Sequence, residues 1–286
     1  MKICAIILNY RNAVRTEACL HSLIGQGLDS VLVVDNSDDE GFASELSTML
    51  KLRLPQIDYT LHLLKSERNL GFARGVNRAL NHEAAFHCDT FLLINNDAIA
   101  MPGMVARMAA RLSNTGCKLI APHVLDAAGR PQSMLWYQRF FGLLTTRPLP
   151  GSFAYPSGCC LLLRRELLVD GKLLDEDFFM YGEDTQLGWR LMQAREVVGY
   201  LDDVAVRHSG VGSSRQYGMF YEYHTARAHV LLARKTLRHP MEKPLMLITK
   251  GAGLMLRAVL RSWRSRSLVP LKAYVLAWRA MEIRLP

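Results

Sequence analysis

Phe91-Leu92-Leu93-Ile94-Asn95-Asn96-Asp97 is a run of four apolar residues that breaks directly into two amides and a carboxylate. Apolar residues in an unbroken run predict a strand covered on both faces, not the alternation of a half-exposed one. The strand then surfaces at its C-terminal end and presents oxygen ligands. Oxygen suits Mg²⁺ or Mn²⁺, ions that reach proteins through one or two carboxylates plus substrate phosphates. Alone, Asn95-Asn96-Asp97 reads sooner as a loop closing before a helix near Gly103, and it is the company of the other segments that reverses this.

Working outward, the same pattern repeats. Ile3–Leu8 is a first buried strand, turned by Asn9-Tyr10-Arg11-Asn12; Arg15–Ile24 has helical spacing. Ser30–Val34 is a second strand ending in Asp35-Asn36-Ser37, followed by a helix over Gly41–Leu50. Tyr59–Leu64 is a third strand, Gly71–Ala79 a helix, Phe91–Ile94 the fourth strand, Gly103–Leu112 a helix and Leu119–Ala121 a short strand. Strands alternating with helices predict an α/β fold, a mostly parallel sheet with helices on both faces. Ligands of such sheets sit off the carboxyl ends of the strands, where Asn9, Asp35, Asn36, Asn95, Asn96 and Asp97 collect.

Two phosphate-binding patterns are excluded. A dinucleotide fold needs G-x-G-x-x-G after the first strand; here the turn is Asn9–Asn12, and Gly71-Phe72-Ala73-Arg74-Gly75 has the wrong spacing and place. No Walker-type loop occurs either.

The 286 residues suffice for one large α/β domain with an appendage, and at 50% apolar they can bury a sizeable core. The six cysteines form no C-x-x-C pair and read as reduced thiols of a cytosolic protein. Met1–Ile7, followed by Asn9, Arg11 and Arg15, reads as a strand and not a signal peptide. The net charge of +9 resides in the tail. Residues 234–286 carry 12 Lys and Arg against 2 Asp and Glu, and residues 1–233 carry 23 against 24. That distribution argues against a nucleic-acid partner.

Asp126–Pro156, rich in proline, glycine and aromatics, is expected to be irregular, either an acceptor-side wall or a surface excursion. Ser157–Leu163 returns as a buried strand whose small residues admit close approach of a ligand. Then Leu174-Asp175-Glu176-Asp177-Phe178-Phe179-Met180-Tyr181-Gly182-Glu183-Asp184 places five carboxylates before a helix over Thr185–Ala194. Acids there either cap the helix or carry chemistry. Val197–Leu201 is a late strand, His208–Ser214 a small-residue loop, and Gly218–Thr236 a long helix.

In this order the chain resembles family 2 glycosyltransferases of the GT-A fold, most of all the rhamnosyltransferase-like branch that builds bacterial surface polysaccharides. The carrying segments are Ile6–Tyr10, Val33–Ser37, Asn69–Asn77, Leu93–Asp97, Phe178–Asp184 and His208–Gly210. The resemblance implies roles. Asp35 binds the base of a nucleotide-sugar, with Asn9 and Asn36 beside it. Asn69, Gly71, Arg74 and Asn77 lie along its ribose and diphosphate. Asn95-Asn96-Asp97 stands where the family carries D-x-D, so Asp97 holds Mg²⁺ or Mn²⁺ with His208 as candidate second ligand. Asp184 matches the catalytic base, and Glu183 orients it or binds an acceptor hydroxyl. Two positions depart from the branch: Gln186 replaces a further acid, and Ala228 ends the Tyr-x-x-Arg pattern of the long helix.

The implied reaction is inverting transfer of a sugar, with rhamnose as the candidate, from a dTDP- or UDP-linked donor to a saccharide or lipid-diphosphate-linked acceptor in O-antigen or other surface polysaccharide synthesis. Competing readings are a nucleotidyltransferase, which would want a glycine-rich basic loop, and a non-catalytic binder of nucleotide or polysaccharide. The expected division is a catalytic domain over 1–238 and a basic amphipathic helical extension over 239–286. No run in that extension reaches the ~18 apolar residues needed to span a bilayer. It is expected either on an anionic membrane surface, at the inner face of the bacterial membrane, or packed on protein. Homo-oligomerisation is left open.

Overall fold

The computed structural model describes residues 1–53, 56–132, 134–208 and 218–280, with nothing stated for the side chains of 52–53 and 202–205. The motif segment 209–214 therefore lies outside the described residues. The chain packs as two compact units. The first comprises Met1–Gln132, Pro156–Asp175 and Leu191–Val211; the second comprises Ser133–Tyr155, Glu176–Arg190 and Gly212–Pro286. The boundary expected near residue 238 falls inside the second unit.

The elements of the first unit are β1 (Ile3–Asn9), α1 (Ala13–Ser22), β2 (Ser30–Asp35), α2 (Glu40–Arg53), β3 (Thr60–Lys65), α3 (Gly71–Leu80), β4 (Thr90–Ile94), β5 (Ala98–Ala100), α4 (Met104–Asn114) and β6 (Leu119–Leu125). After the excursion through β7 (Leu135–Gln138), β8 (Leu143–Thr145) and β9 (Ser152–Tyr155), the chain returns as β10 (Cys160–Arg164). It continues through α5 (Glu183–Gln193), β11 (Val198–His208), α6 (Met219–Lys235), α7 (Lys243–Ser265) and α8 (Val269–Arg279). The large sheet has eight strands in the order β3-β2-β1-β4-β10-β6-β11-β5. β2 pairs in parallel with β1 and β3, β1 with β4, and β6 with β11; β10 and β5 run against their neighbours. This is the mostly parallel, helix-flanked α/β sheet expected of the GT-A fold. β10 reverses because the chain leaves β6 and returns with no crossover helix to carry it back to the starting end.

One face of the sheet carries Ile3, Ala5, Ile7, Val31 and Val33 against Leu20 of α1, Leu46 of α2 and Met104, Met108 and Leu112 of α4, all buried. Each such Val, Leu, Ile or Met side chain contributes roughly 1.5–3 kcal/mol on burial. α3 covers the other face, close enough that a Cβ on Gly75 would sit 2.6 Å from Leu8 Cδ2. The register brings the strand ends level: Asn9 stands opposite Asp35, and Asp35 opposite Lys65.

The second unit corrects one expectation. Asp126–Pro156 contains an antiparallel sheet of order β8-β7-β9. Its strands are too short for alternation to show between prolines and glycines. What holds them is the cross-strand pair Tyr137 and Phe153, both buried, edge to face at 5.7 Å. Phe153 in turn meets Trp189 of α5 at 5.1 Å. α6, α7 and α8 pack on one another, so the basic tail is in part a helical layer on protein.

Candidate active site

At the carboxyl ends of β1 and β2, Asn9 Nδ2 donates to Asp35 Oδ1 at 2.9 Å and reaches Ser37 Oγ at 3.4 Å. Ser37 N also donates to Asp35 Oδ1, at 3.0 Å. Asn9 Oδ1 accepts from Thr16 Oγ1 at 2.7 Å, and that hydroxyl accepts from Asn96 Nδ2 at 3.1 Å. Asn9 is 0% and Asp35 1% exposed, so a charge-assisted bond here is held away from water and is worth more than a surface one. The chain binds Asp35, Asn9 and Asn96 into one network through Thr16 and Ser37. Thr16 was not foreseen; it lies within an unremarkable helical stretch and matters only by position.

Asn36 is part of a second cluster. Its Nδ2 donates to Gly71 O at 3.0 Å and its Oδ1 accepts from Ser66 Oγ at 3.0 Å. Ser66 Oγ also accepts from Arg78 NH1 at 2.8 Å. Asn69 Oδ1 accepts from Gly71 N at 2.9 Å, closing the turn into α3, where Gly71 takes a φ of +77° that suits glycine. Arg74 lies exposed on α3. Asn77, expected along the donor, has a buried amide that donates to Leu174 O at 2.8 Å and accepts from Leu173 N and Leu174 N at 3.0 and 3.1 Å, which ties α3 to the 173–174 loop.

The candidate metal ligands are brought together by a strand pairing that periodicity did not reveal. β5 pairs antiparallel with the end of β11, placing His208 opposite Ala98. His208 Nε2 thereby lies 3.1 Å from Asp97 Oδ1, while Arg15 NH1 is 3.9 Å from Asp97 Oδ2. Close by in sequence, Asn95 Oδ1 is buried with no hydrogen-bond partner among the described residues. A buried acceptor left bare costs about 1–3 kcal/mol. A carboxylate oxygen beside an imidazole nitrogen fits Mn²⁺ or Mg²⁺. No three of His, Cys, Asp or Glu gather into a metal site among the described residues.

In the second unit, Tyr181 and Gly182 adopt φ of +67° and +87° directly before α5. Tyr181 is an uncommon occupant of that region. A Cβ on Gly182 would approach Ala228 Cβ to 2.9 Å, so the small Ala228, one of the two departures, abuts this turn. The turn sets Glu183 and Asp184 at the helix start. Asp184 Oδ1 accepts from Thr185 N at 2.7 Å. Glu183 is buried, with Oε2 lacking a partner among the described residues. Burial first, and the charge of Asp184 second, push its carboxyl well above the ordinary range. Glu183 is thus set toward the neutral form. Tyr155, also unforeseen, has its hydroxyl pushed up by burial and by Asp184. Gln186, the other departure, has a buried Oε1 without a partner among the described residues.

The model of the family described as "Glycosyl transferase family 2" matches residues 4–171, more than half of the chain. The chain belongs to glycosyl transferase family 2. It is by family a glycosyltransferase. No curated protein sequence matches it. Among solved structures, this family 2 glycosyltransferase is similar to GalNAc-T7 with UDP, GalNAc and Mn²⁺, at TM-score 0.62 and 13% identity over 82% of this chain. It spans 48% of that protein's length. S. aureus TarS 1–349 has TM-score 0.57 and 15% identity over 99% of this chain and 91% of the other. The mannosyltransferase PcManGT from Pyrobaculum calidifontis, in complex with GDP-Man and Mn²⁺, has TM-score 0.58 and 16% identity over 96% and 85%. Identities this low establish the shared fold. The family match covers Asn9, Asp35 and Asp97 but stops short of Glu183, Asp184 and His208.

Proposed function

We propose that the chain moves a sugar from a nucleotide-diphosphate donor to a saccharide hydroxyl, with inversion at the anomeric carbon. The observation that carries this reading is the approach of His208 to Asp97 at 3.1 Å beside the Asn9–Asp35 network. Asp35 accepts from the base of the donor, and its charge is kept in place by Asn9 and Ser37. Asp97 and His208 would hold a divalent ion, Mg²⁺ or Mn²⁺, which supplies Lewis-acid neutralisation of the departing diphosphate. Similar structures hold Mn²⁺ with UDP or GDP-Man, and another TarS 1–349 structure holds UDP-GlcNAc, which supports a sugar-nucleotide donor.

Asp184 accepts the proton of the acceptor hydroxyl as the new C–O bond forms, an effect worth ~10²–10⁴-fold. The Thr185 N–H, bonded to Asp184 Oδ1, stabilises the ionised form that a base requires. Glu183, pushed toward neutrality, serves as an orienting group and not as a second base. The finer reading is a rhamnosyl donor on dTDP or UDP, a lipid-diphosphate-linked acceptor, and work at the inner face of the bacterial membrane in surface polysaccharide synthesis.

The test is a thermal-shift screen of sugar nucleotides with and without Mn²⁺, followed by assay of nucleotide diphosphate release. A metal-dependent shift and release are expected. Asp184→Asn is expected to lower transfer by ~10²-fold or more while donor affinity stays near wild type. Equal loss of donor affinity in calorimetry would remove the base assignment, and absence of any sugar-nucleotide shift would remove the reaction.

A further inference from the structure

α7 is amphipathic the wrong way round for a helix facing water. Three of its five charged side chains, Lys250, Arg257 and Arg261, point into the second unit, while Lys243 and Arg264 near its ends are exposed. Lys250 is 0% exposed and donates to Tyr137 Oη at 2.8 Å. Tyr137 Oη in turn bonds His229 Nδ1 at 2.9 Å. Arg257 and Arg261 reach the buried Glu222 of α6 at 3.1 and 2.6 Å. Burial pushes the Lys250 ammonium down to about 7, with Arg139 adding to the effect.

The opposite side of α7 is apolar and bare. Ile248 is 71%, Leu256 60% and Trp263 77% exposed, with Leu245, Val259 and Leu260 between them also exposed. At 3.6 residues per turn these fall within an arc of roughly 120°. A continuous stripe of this kind marks an interaction surface, where single exposed apolar residues would not. α8 adds an open groove of about 510 Å³, lined by Met219, Leu271, Val275 and Leu276 together with Lys272 and Arg279.

Charge complementarity selects what covers it. Arg264, Arg266, Lys272 and Arg279 are exposed at the α7–α8 turn and along α8, and none has an ion pair among the described residues. No Asp or Glu occurs between Lys243 and Ala280 to pair with these cations in a second copy docked stripe to stripe. Such a self-contact would place like charges together. A tryptophan beside unpaired arginines, at the end of an apolar stripe, suits the headgroup level of a bilayer. No helix among the described residues is long and apolar enough to cross a membrane.

We propose that the outward stripe of α7, from Leu245 to Trp263, is the face by which the protein lies on an anionic bilayer, with Arg264, Arg266, Lys272 and Arg279 on the lipid phosphates. This deepens the membrane part of the function proposed above, and it stands or falls apart from the donor chemistry. The inward charges fix the orientation: turning α7 about its axis would expose the stripe's opposite side only by stripping Glu222 and Tyr137 of their partners.

The test uses the full chain with vesicles of phosphatidylcholine alone and with about one third phosphatidylglycerol, read by co-sedimentation and tryptophan emission. Binding and a blue shift are expected with the anionic vesicles. Ile248→Glu and Leu256→Glu, both at exposed positions, are each expected to weaken binding by roughly tenfold or more. Arg264→Gln with Lys272→Gln is expected to weaken it by about fivefold per cation. Unchanged melting temperatures and donor affinity in these variants keep the loss specific. Wild-type binding that Ile248→Glu and Leu256→Glu leave intact would overturn the proposal. So would a dimer in light scattering that Ile248→Glu dissociates while vesicles go unbound. Vesicle binding without nucleotide diphosphate release would leave this face standing and sink the reaction instead.

Discussion

Replacing Asn9 by aspartate tests the network at the strand ends most directly. Asn9 Nδ2 lies 2.9 Å from Asp35 Oδ1, and the two residues are 0% and 1% exposed. Asn9→Asp puts a second carboxylate where a donor stood. Held ionised together at that separation, the two charges would repel by about 6 kcal/mol at an effective dielectric of 20. Taking up one proton instead costs 1.36 kcal/mol for each pH unit above the usual carboxylate value, so about 4 kcal/mol at pH 7. The cheaper route sets the penalty. The variant should therefore lose about 4 kcal/mol relative to wild type at pH 7 and only about 1–2 kcal/mol at pH 5. The sign follows from linkage. The folded variant's pair titrates above its unfolded value, so the folded state binds the extra proton, and raising pH through that interval destabilises it. Denaturant unfolding of both proteins from pH 5 to 8 measures the difference, with Asn9→Ala as a control whose deficit should not slope. A flat difference for Asn9→Asp, or one below about 1 kcal/mol, would mean that the two side chains do not meet as described.

The same sign applies to Glu183, whose raised carboxyl makes wild-type stability fall as pH climbs above the ordinary glutamate value of 4.5. Glu183→Gln should flatten that decline in a melting-temperature series, and an unchanged slope would place the titration elsewhere. Asp97→Asn should abolish the Mn²⁺-dependent part of donor binding by calorimetry, and His208→Ala should weaken it by about 10–100-fold. Retained metal dependence in both would move the ion from this pair. Gly188→Ala should destabilise by about 1–3 kcal/mol, because its Cβ would strike Tyr155 Cβ and lie 2.9 Å from Tyr155 Cα; unfolding curves that superimpose on wild type would contradict that packing.

How much of this was legible beforehand differs between the two units. Ile3–Asn9, Ser30–Asp35 and Thr90–Ile94 are buried on both faces, so each appears in sequence as an apolar run ending in polar residues. That is why the α/β sheet, the succession of its first strands along the chain and the polar residues at their ends could be read in advance. The small sheet could not. Its three- and four-residue strands owe their existence to Tyr137, Phe153 and Trp189 meeting from distant parts of the chain. β5 is likewise only three residues long, yet its register against β11 is what delivers His208 to Asp97.

The sequence alone therefore determined the fold class and the residue types offered at the strand ends, because burial of whole strands leaves a local mark. Which side chains bond to which was decided by tertiary structure. Asn77 bonds to Leu173 and Leu174, which come from a distant loop. Glu183 was driven toward neutrality by a desolvation that no neighbouring residue type reveals. For α7, periodicity marks two sides but not which one faces protein. Glu222 and Tyr137 settled that by offering partners to Arg257, Arg261 and Lys250, because a buried charge without a partner costs more than apolar surface left in water.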